Sequence, residues 1–490
     1  MKNISELFRN TDGKMLSEIH DLSIAHLTTN SADIRENTLF IAQKGSVRDG
    51  HDFIEAAIEK GAKAIVAERM PEKVNKDVLY YIVKDSREAA GLIAAAFYDF
   101  PSRKLRLVGV TGTNGKTTNV TLLFKLFRAL GHKAGLISTV KNQINDRIIP
   151  ATHTTPDVIS LNALLREMCD EGCEYAFMEV SSHGVDQKRI FGLEFSGAIF
   201  TNITHDHLDY HKTFDNYINA KKGFFDMLGK NAFALVNADD KRADVMLQNC
   251  AAKHYKFALK SFADFHAKMT ANSFAGLCLQ IGKHEVWFRM TGEFNAYNLL
   301  GVYAAAVLLG KDEEEVLRVL SGLSGAEGRL ETYTLPNGVF AVIDYAHTPD
   351  ALENVLKTLR DIRTGNQKII TLIGCGGNRD KEKRPKMAQT AFLMSDLCFL
   401  TSDNPRNEKP EDILADMCEG LKEFGDKSTL YVISDRREAV RKAYKLAQKN
   451  DIILIAGKGH ENYQEIQGVK HHFSDKEEIF AAAGCVMSAE

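Results

Sequence analysis

Several clusters in this sequence have residue types and spacings that could do chemistry. The first is Thr111-Gly112-Thr113-Asn114-Gly115-Lys116-Thr117-Thr118. Two glycines in so short a turn let backbone N–H groups converge on phosphate oxygens, and a helix beginning there adds the partial positive charge of its N-terminus. Lys116 is placed to neutralise β/γ-phosphates, and the Thr117 hydroxyl to ligate Mg²⁺. The usual phosphate-loop spacing has another glycine where this chain has Val110, so the bland alternative is a glycine-rich strand-to-helix turn. The flanks favour the nucleotide site. An apolar strand from Leu105 to Val110 precedes the run. After it, Val120, Leu123, Phe124, Phe127 and Leu130 recur at helical spacing up to Gly131.

Later clusters supply the rest of a site. Residues 175–183 read as a buried strand ending in Glu179 and polar residues, where a phosphate-loop fold places a second Mg²⁺ ligand. His205-Asp206-His207-Leu208-Asp209-Tyr210-His211 has two readings: a transition-metal site, or one imidazole, His207, helping to hold a second Mg²⁺ while the others are structural. Asn295 and Asn298 share a helical face, either as caps or as nucleotide contacts. Beyond residue 331, polar clusters follow nearly every predicted strand. They are Asp344-Tyr345-Ala346-His347, the run 374–380 with Arg379, Asp403-Asn404-Pro405-Arg406, and Gly457-Lys458-Gly459-His460-Glu461. Four on one edge of a parallel sheet describe a binding cleft.

Taken in order, these motifs, with Thr154-Thr155-Pro156, Tyr217-Ile218-Asn219-Ala220-Lys221 and Gly328-Arg329, resemble the Mur ligase family over essentially the whole chain. Within the family, the likeness is to members that add the third residue of the peptide. It implies ATP and Mg²⁺, with UDP-muramoyl-dipeptide and meso-diaminopimelate as substrates. It also implies Lys116, Glu179, His207 and Lys221 as catalytic residues. Gly112 to Thr118 (Gly112, Thr113, Asn114, Gly115, Lys116, Thr117 and Thr118), with Asn298, Arg329 and Asp344, would bind ATP. Thr117, Glu179, His207 and Lys221 would lie at the metal, the lysine as an N-carboxylated side chain. Without the resemblance, Lys221 reads as a solvated surface lysine. Ser31, Ser46, Val47, Arg48, Thr154, Thr155, Ser181, Gln187 and Arg189 would hold the UDP-muramoyl-dipeptide. Arg379, Asp403, Asn404, Pro405, Arg406, Gly457 and Glu461 would hold the amino acid. Two departures stand out: Asn30-Ser31-Ala32 where the family usually has Asp-Ser-Arg, and His153 where it usually has Asn.

The implied reaction is amide formation through an acyl phosphate, in which ATP activates a carboxylate for attack by an amine. One alternative is a folylpolyglutamate-type ligase with the same ATP chemistry. The N-terminal region and Asp403-Asn404-Pro405-Arg406 argue against it. Another is a nucleotide switch, for which the guanine-reading Asn-Lys-x-Asp motif is missing.

The elements that must position these clusters alternate strand and helix. At 490 residues the chain is too long for one ordinary core. The reading is α/β in three domains. Residues 1–103 form an α/β UDP-binding domain and 104–330 a phosphate-loop ATPase domain with a mostly parallel sheet. Residues 331–490 form a Rossmann-like domain for the amino acid. Strands are expected at 38–42, 62–67, 79–83, 105–110, 175–179 and 198–203, then at 339–343, 368–373, 396–401, 430–433 and 451–456. Pro101 to Lys104 is expected to be a linker, and Gly325 to Glu331 a hinge. A formal charge of −3 gives no basic footprint, so nucleic acid is not an expected partner. No apolar run approaches a membrane span, and no signal-peptide core is present, so a cytoplasmic monomer is expected. The eight scattered cysteines lack zinc spacing and read as buried free thiols.

Overall fold

The computed structural model describes every residue except 17, 18, 20, 46, 47, 426 and 486–490, and the statements below concern the described residues. It contains three α/β units. In the first, the strands Thr38–Ile41, Ala62–Ala67 and Leu79–Val83 run parallel, with His26–Thr28 parallel at one edge and Gly13–Met15 antiparallel at the other. Helix Ser86–Phe97 covers this sheet, and Asp85 caps it by accepting from the N–H groups of Arg87 and Glu88. After strand Thr38–Ile41 the chain passes through a 3₁₀ turn, Gly50–Phe53, into helix Ile54–Glu59.

The segment expected as a linker, Pro101 to Lys104, joins the first unit to the central sheet, and it is packed rather than extended. Pro101–Arg103 forms a 3₁₀ turn with Pro101 and Ser102 buried, and Ser102 Oγ accepts from Glu194 N at 3.0 Å. Its polar, proline-led composition resembles a linker, but its side chains seal the junction with the next unit.

The central sheet has eleven strands. Arg106–Thr111 lies at its middle, between Tyr175–Glu179 and Gly197–Phe200, all parallel. Ala134–Ile137, Phe233–Asn237 and Lys253–Ala258 extend the parallel region. Antiparallel hairpins complete both sides: Lys141–Ile144 with Arg147–Pro150, and Phe265–Ser273, Gly276–Ile281 and His284–Phe288. The expected strand at 198–203 stops at Phe200, because Thr201 and Asn202 turn toward the phosphate loop. The chain's one tryptophan, Trp287, sits on the outermost strand and is 56% exposed. Helix Lys116–Ala129 packs its apolar residues into one core with helix Glu293–Leu308, which is alanine-rich and buried along most of its length.

In the third unit Phe340–Asp344, Ile452–Ala456, Ile369–Ile373, Leu397–Leu400 and Leu430–Val432 are adjacent in that order and all parallel; Glu331–Thr334 pairs antiparallel at the edge. Parallel strands share one carboxyl edge, so the four polar clusters stand side by side. Behind them lies a buried ion pair. Arg436 donates to both carboxylate oxygens of Asp475, at 2.7 and 2.8 Å, and both side chains are fully enclosed. Among the described residues no helix is long and apolar enough to cross a membrane.

Candidate active site

The phosphate-loop run leaves the central strand and enters helix Lys116–Ala129 as the spacing predicts. Its glycines are sterically required. A Cβ on Gly112 would stand 1.9 Å from Thr201 Oγ1, and one on Gly115 (φ +85°) 2.5 Å from Asn298 Oδ1. The loop is held from behind: Thr113 N donates to Asn202 O at 2.8 Å and Asn114 N to Asn202 Oδ1 at 3.0 Å. Lys116 Nζ donates to Gly112 O and Thr113 O, both at 2.9 Å. Burial pushes the Lys116 ammonium below its usual pKa, against the pull of Glu179 and Asp206.

Lys221 is fully buried, so the surface-lysine reading fails. It comes from helix Phe214–Asp226, packs over the Tyr217 ring at 4.7 Å, and donates to Gly112 O at 2.7 Å. Burial first, then the charge of Lys116, drives its pKa well below the lysine value. A neutral amine in a closed site is the form that reacts with CO₂.

Glu179, at the end of its strand, accepts from Thr117 Oγ1 at 2.9 Å and from Thr139 N at 2.8 Å. Thr155 Oγ1 donates to Glu179 O, and Ser181 Oγ lies 3.1 Å from Thr155 Oγ1. Arg189 donates to Thr155 O at 2.7 Å and, through Nε and Nη2, to Gln187 Oε1. Thr154, Thr155, Ser181, Gln187 and Arg189 therefore form one connected patch, joined by Thr139 Oγ1 donating to Thr154 Oγ1 at 3.0 Å.

His207 adopts a left-handed backbone (φ +55°) before the short helix Leu208–His211. Its Nε2 lies 3.4 Å from Asp206 Oδ2, and its ring meets His183 edge-on at 4.9 Å. Burial pushes its pKa down to about 4, opposed by Asp206, so the imidazole is neutral and able to ligate. His205 stacks on Phe214 at 4.5 Å, and His211 Nε2 contacts Ser182 Oγ at 3.0 Å. Among the described residues no group of three His, Cys, Asp or Glu side chains forms a metal cage. Thr117 Oγ1 and a Glu179 carboxylate oxygen, 2.9 Å apart, are oxygen donors of the kind Mg²⁺ takes beside retained waters, and His207 adds a neutral imidazole to the same cleft.

The two asparagines bond to each other, Asn298 Nδ2 donating to Asn295 Oδ1 at 3.0 Å, and neither caps the helix, whose cap position is Gly292. Asn295 Nδ2 donates to Thr291 O within its own helix turn, at 2.8 Å. Asn298 Oδ1 instead accepts from Asn119 Nδ2 of the phosphate-loop helix at 2.8 Å. Arg329, in the segment that joins the central unit to the third, reaches the phosphate loop: Nη2 donates to Thr117 Oγ1 at 3.3 Å, the guanidinium lies 4.4 Å over Tyr345, and Nε is buried without a hydrogen-bond partner. Such an orphan donor beside a phosphate loop suits an anionic ligand. Asp344 accepts from Leu330 N and Ala346 N; burial raises its pKa against Arg329 and those two donors. Asp350 was missed in the sequence, where it reads as an ordinary first-turn acid. Its Oδ2 accepts from Asn114 Nδ2 at 3.0 Å and Thr204 Oγ1 at 3.1 Å, joining the third unit to the phosphate loop.

At the carboxyl edge of the third sheet, Asn404 uses both ends of its amide. Nδ2 donates to Glu461 Oε2 at 2.8 Å, and Oδ1 accepts from Lys458 Nζ at 3.1 Å and Glu465 N at 2.9 Å. Asn404 is thus a strut within the protein. Arg406 (φ +49°) donates through Nη1 to Gly377 O at 2.8 Å, and its Nε lies 3.4 Å from Glu465 Oε2. The Pro405 carbonyl packs where Gly377 would carry a Cβ, and Gly457 (φ +110°) lies where a Cβ would meet Asp403 Oδ2 at 2.8 Å. Arg379 is exposed.

One cleft of about 1660 Å³ is lined by Lys116, Thr155, Glu179, His207, Lys221, Asn298, Arg329, Asp344, Arg379, Asp403, Arg406 and Glu461, among others. Five of the expected contacts, Gly112, Gln187, Pro405, Ser31 and Arg48, are not among its lining residues, the first three being next to residues that are. Ser31, in a turn of the first unit, accepts Lys60 Nζ on its carbonyl; Arg48 is exposed, its carbonyl accepting from Gly45 N. Ser46 and Val47 lie outside the described residues.

Comparison with known proteins gives three family matches: the Mur ligase family catalytic domain over residues 23–98, the Mur ligase middle domain over 110–306, and the Mur ligase glutamate ligase domain over 328–459. The chain is 54% identical over 457 residues to UDP-N-acetylmuramoyl-L-alanyl-D-glutamate–2,6-diaminopimelate ligase of Cytophaga hutchinsonii, covering 93% of this chain and 94% of that one. The enzyme of the same name from Bacteroides fragilis is 54% identical over 464 residues, covering 94% and 96%. A solved structure of a ligase of that name superposes with TM-score 0.71 at 32% identity, over 99% of each chain. The MurF ligase of Thermotoga maritima, solved with ADP, shares the fold at TM-score 0.60 and 18% identity, over 94% of this chain and 96% of that one.

Proposed function

Because the chain belongs to the Mur ligase family, we propose that it is an ATP-dependent acid–amino-acid ligase joining meso-diaminopimelate to UDP-N-acetylmuramoyl-L-alanyl-D-glutamate in peptidoglycan precursor synthesis. The observation that carries this reading is the single cleft on which the phosphate loop, the Thr155–Arg189 patch and the Asp403–Arg406 loop all open. Three substrates must meet to make this amide, and the cleft has three differently built walls.

A carboxylate is a poor acyl donor. In the proposed reaction an oxygen of the D-glutamate side chain attacks the γ-phosphorus, and ADP leaves. The amine of the amino acid then attacks the acyl carbon; the tetrahedral intermediate loses phosphate, and the amine loses its proton. Gly112 to Thr118 would cradle the phosphates, with Lys116 compensating their charge. Asn298, Arg329 and Asp344 would border the nucleotide. Thr117, Glu179, His207 and a carbamylated Lys221 would hold Mg²⁺, which when bound adds positive charge beside the transferring phosphoryl group. Thr154, Thr155, Ser181, Gln187 and Arg189 would hold the muramoyl-dipeptide, and Ser31 and the 46–48 loop its UDP end. Arg379, Asp403 to Arg406, Gly457 and Glu461 would receive diaminopimelate. Residues 1–103, 104–330 and 331–490 would serve as the UDP, ATP and amino-acid domains of a cytoplasmic monomer. Closing the cleft before chemistry would keep water from the acyl phosphate.

The test is phosphate release with each substrate omitted in turn. Release that needs both the UDP-muramoyl-dipeptide and meso-diaminopimelate supports the ligase. Slow release from ATP alone, indifferent to both, overturns it in favour of a nucleotide switch.

A further inference from the structure

The amino-acid wall contains a charged residue that the proposed reaction leaves without a task. Lys458 lies in the turn after strand Ile452–Ala456, its side chain wholly enclosed. A buried ammonium is tolerated only where it is paired and hydrogen-bonded. Its partners are specific: Glu461 Oε2 at 3.2 Å, Asn404 Oδ1 at 3.1 Å and Asp403 Oδ1 at 4.0 Å. The Tyr463 ring lies 5.6 Å away. Asp403, Asn404 and Glu461 all line the cleft, whereas Lys458 is not among its lining residues. It stands behind the wall and touches three residues that form it.

We propose that Lys458 is a positioning residue for the incoming diamino acid, fixing Glu461 and Asn404 from behind and balancing the charge of the Asp403–Glu461 pair. Two carboxylates so close to one cation carry a net charge of −1, which matches one substrate ammonium. Without the cation, the two carboxylates lose the donor that holds them and repel each other, and the receptor loses its shape. The Asn404 amide transmits the arrangement, since Lys458 and Glu461 hold its opposite ends. Glu465 N, donating to the same Asn404 oxygen, ties hairpin Tyr463–His472 to the receptor.

This inference rests on the amino-acid assignment above, and its test separates the two. Amide formation is measured in wild type, Lys458→Met and Lys458→Gln, varying meso-diaminopimelate, ATP and the UDP-muramoyl-dipeptide in turn. Lys458→Met should raise the KM for diaminopimelate by about ten- to a hundredfold, the size of a lost charged hydrogen bond, and leave the KM values for the other two substrates within about twofold. Lys458→Gln, which keeps a donor toward Asn404 but not the charge, should fall between. In a Glu461→Gln background, Lys458→Met should add little, because the pair is already broken. A folded Lys458→Met chain with unchanged diaminopimelate KM, or with all three KM values raised alike, overturns the proposal. Failure of both variants to fold also overturns it, assigning Lys458 to stability. A wild type that does not use diaminopimelate removes the underlying assignment instead.

Discussion

Lys116 and Lys221 converge on one acceptor: both side-chain nitrogens donate to the carbonyl of Gly112, at 2.9 and 2.7 Å. They approach from helices about a hundred residues apart in the chain. Their mutual repulsion adds to burial in driving Lys221 toward the neutral form. Loop geometry and the lysine's reactivity are therefore one arrangement.

Lys221→Ala should be nearly inactive in amide formation and partly rescued by millimolar acetate or formate entering the vacated space. A fully active, unrescued variant would mean that no carbamate is needed.

The same lysine predicts a pH dependence of stability. Its folded pKa lies below its unfolded value near 10.5, so between the two the unfolded chain binds more protons, and stability rises with pH. In CO₂-free buffer, Lys221→Met should be more thermostable than wild type at neutral pH, and this advantage should shrink as pH approaches 10.5. A pH-independent difference in melting temperature would contradict the buried, neutral lysine.

Lys116→Ala should lower kcat by roughly 10²–10³-fold, the loss typical of removing one donor aimed at developing charge. The readout is phosphate release at saturating substrates, with circular dichroism confirming the fold. Near wild-type turnover would displace the nucleotide from this loop.

Arg406 should set the choice of amino acid. meso-Diaminopimelate differs from lysine by one distal carboxylate, which a guanidinium can pair bidentately. Gly377 O and Glu465 take up Nη1 and Nε, anchoring the side chain. Arg406→Ala should cost about 2–5 kcal/mol in use of diaminopimelate. Competition between diaminopimelate and L-lysine, in wild type and variant, checks it; a variant still strongly selective for diaminopimelate would refute the role.

Arg436→Ala should destabilise the protein by about 3–5 kcal/mol, because it strands Asp475 as a buried, unpaired charge. Denaturant unfolding measures this, and a change under 1 kcal/mol would show that water reaches the pair.

Much of this site was legible because parallel α/β folds put chemistry at strand ends, and strand ends can be read from apolar runs followed by polar ones. Glu179, Asp344, Asp403 and Glu461 were found that way. What stayed hidden depends on contacts between distant segments. The burial of Lys221 follows from Tyr217 and Lys116 closing over it, and nothing local to a helix reading Asn-Ala-Lys-Lys announces that. Asp350 looks like any acid in a helix's first turn until its partners, Asn114 and Thr204, are seen across the cleft. Lys458 sits in a cluster that sequence reading picked out, yet only its enclosure separates it from His460 and Glu461, which line the cleft. The edge hairpins from Phe265 to Phe288 were missed because residues such as Lys268 and Glu285 break up the apolar pattern on their solvent face.

The position of Trp287 limits what spectroscopy can see. The chain's only indole is on the outermost central strand, absent from the residues lining the cleft, and is already in contact with water. Its emission maximum should lie to the red and barely move when substrates bind, so a flat intrinsic-fluorescence titration would say nothing about occupancy. Its spectral invariance makes it a quiet background: a second tryptophan in place of exposed Leu393, in the third unit, would form a reporter whose signal belongs to that unit.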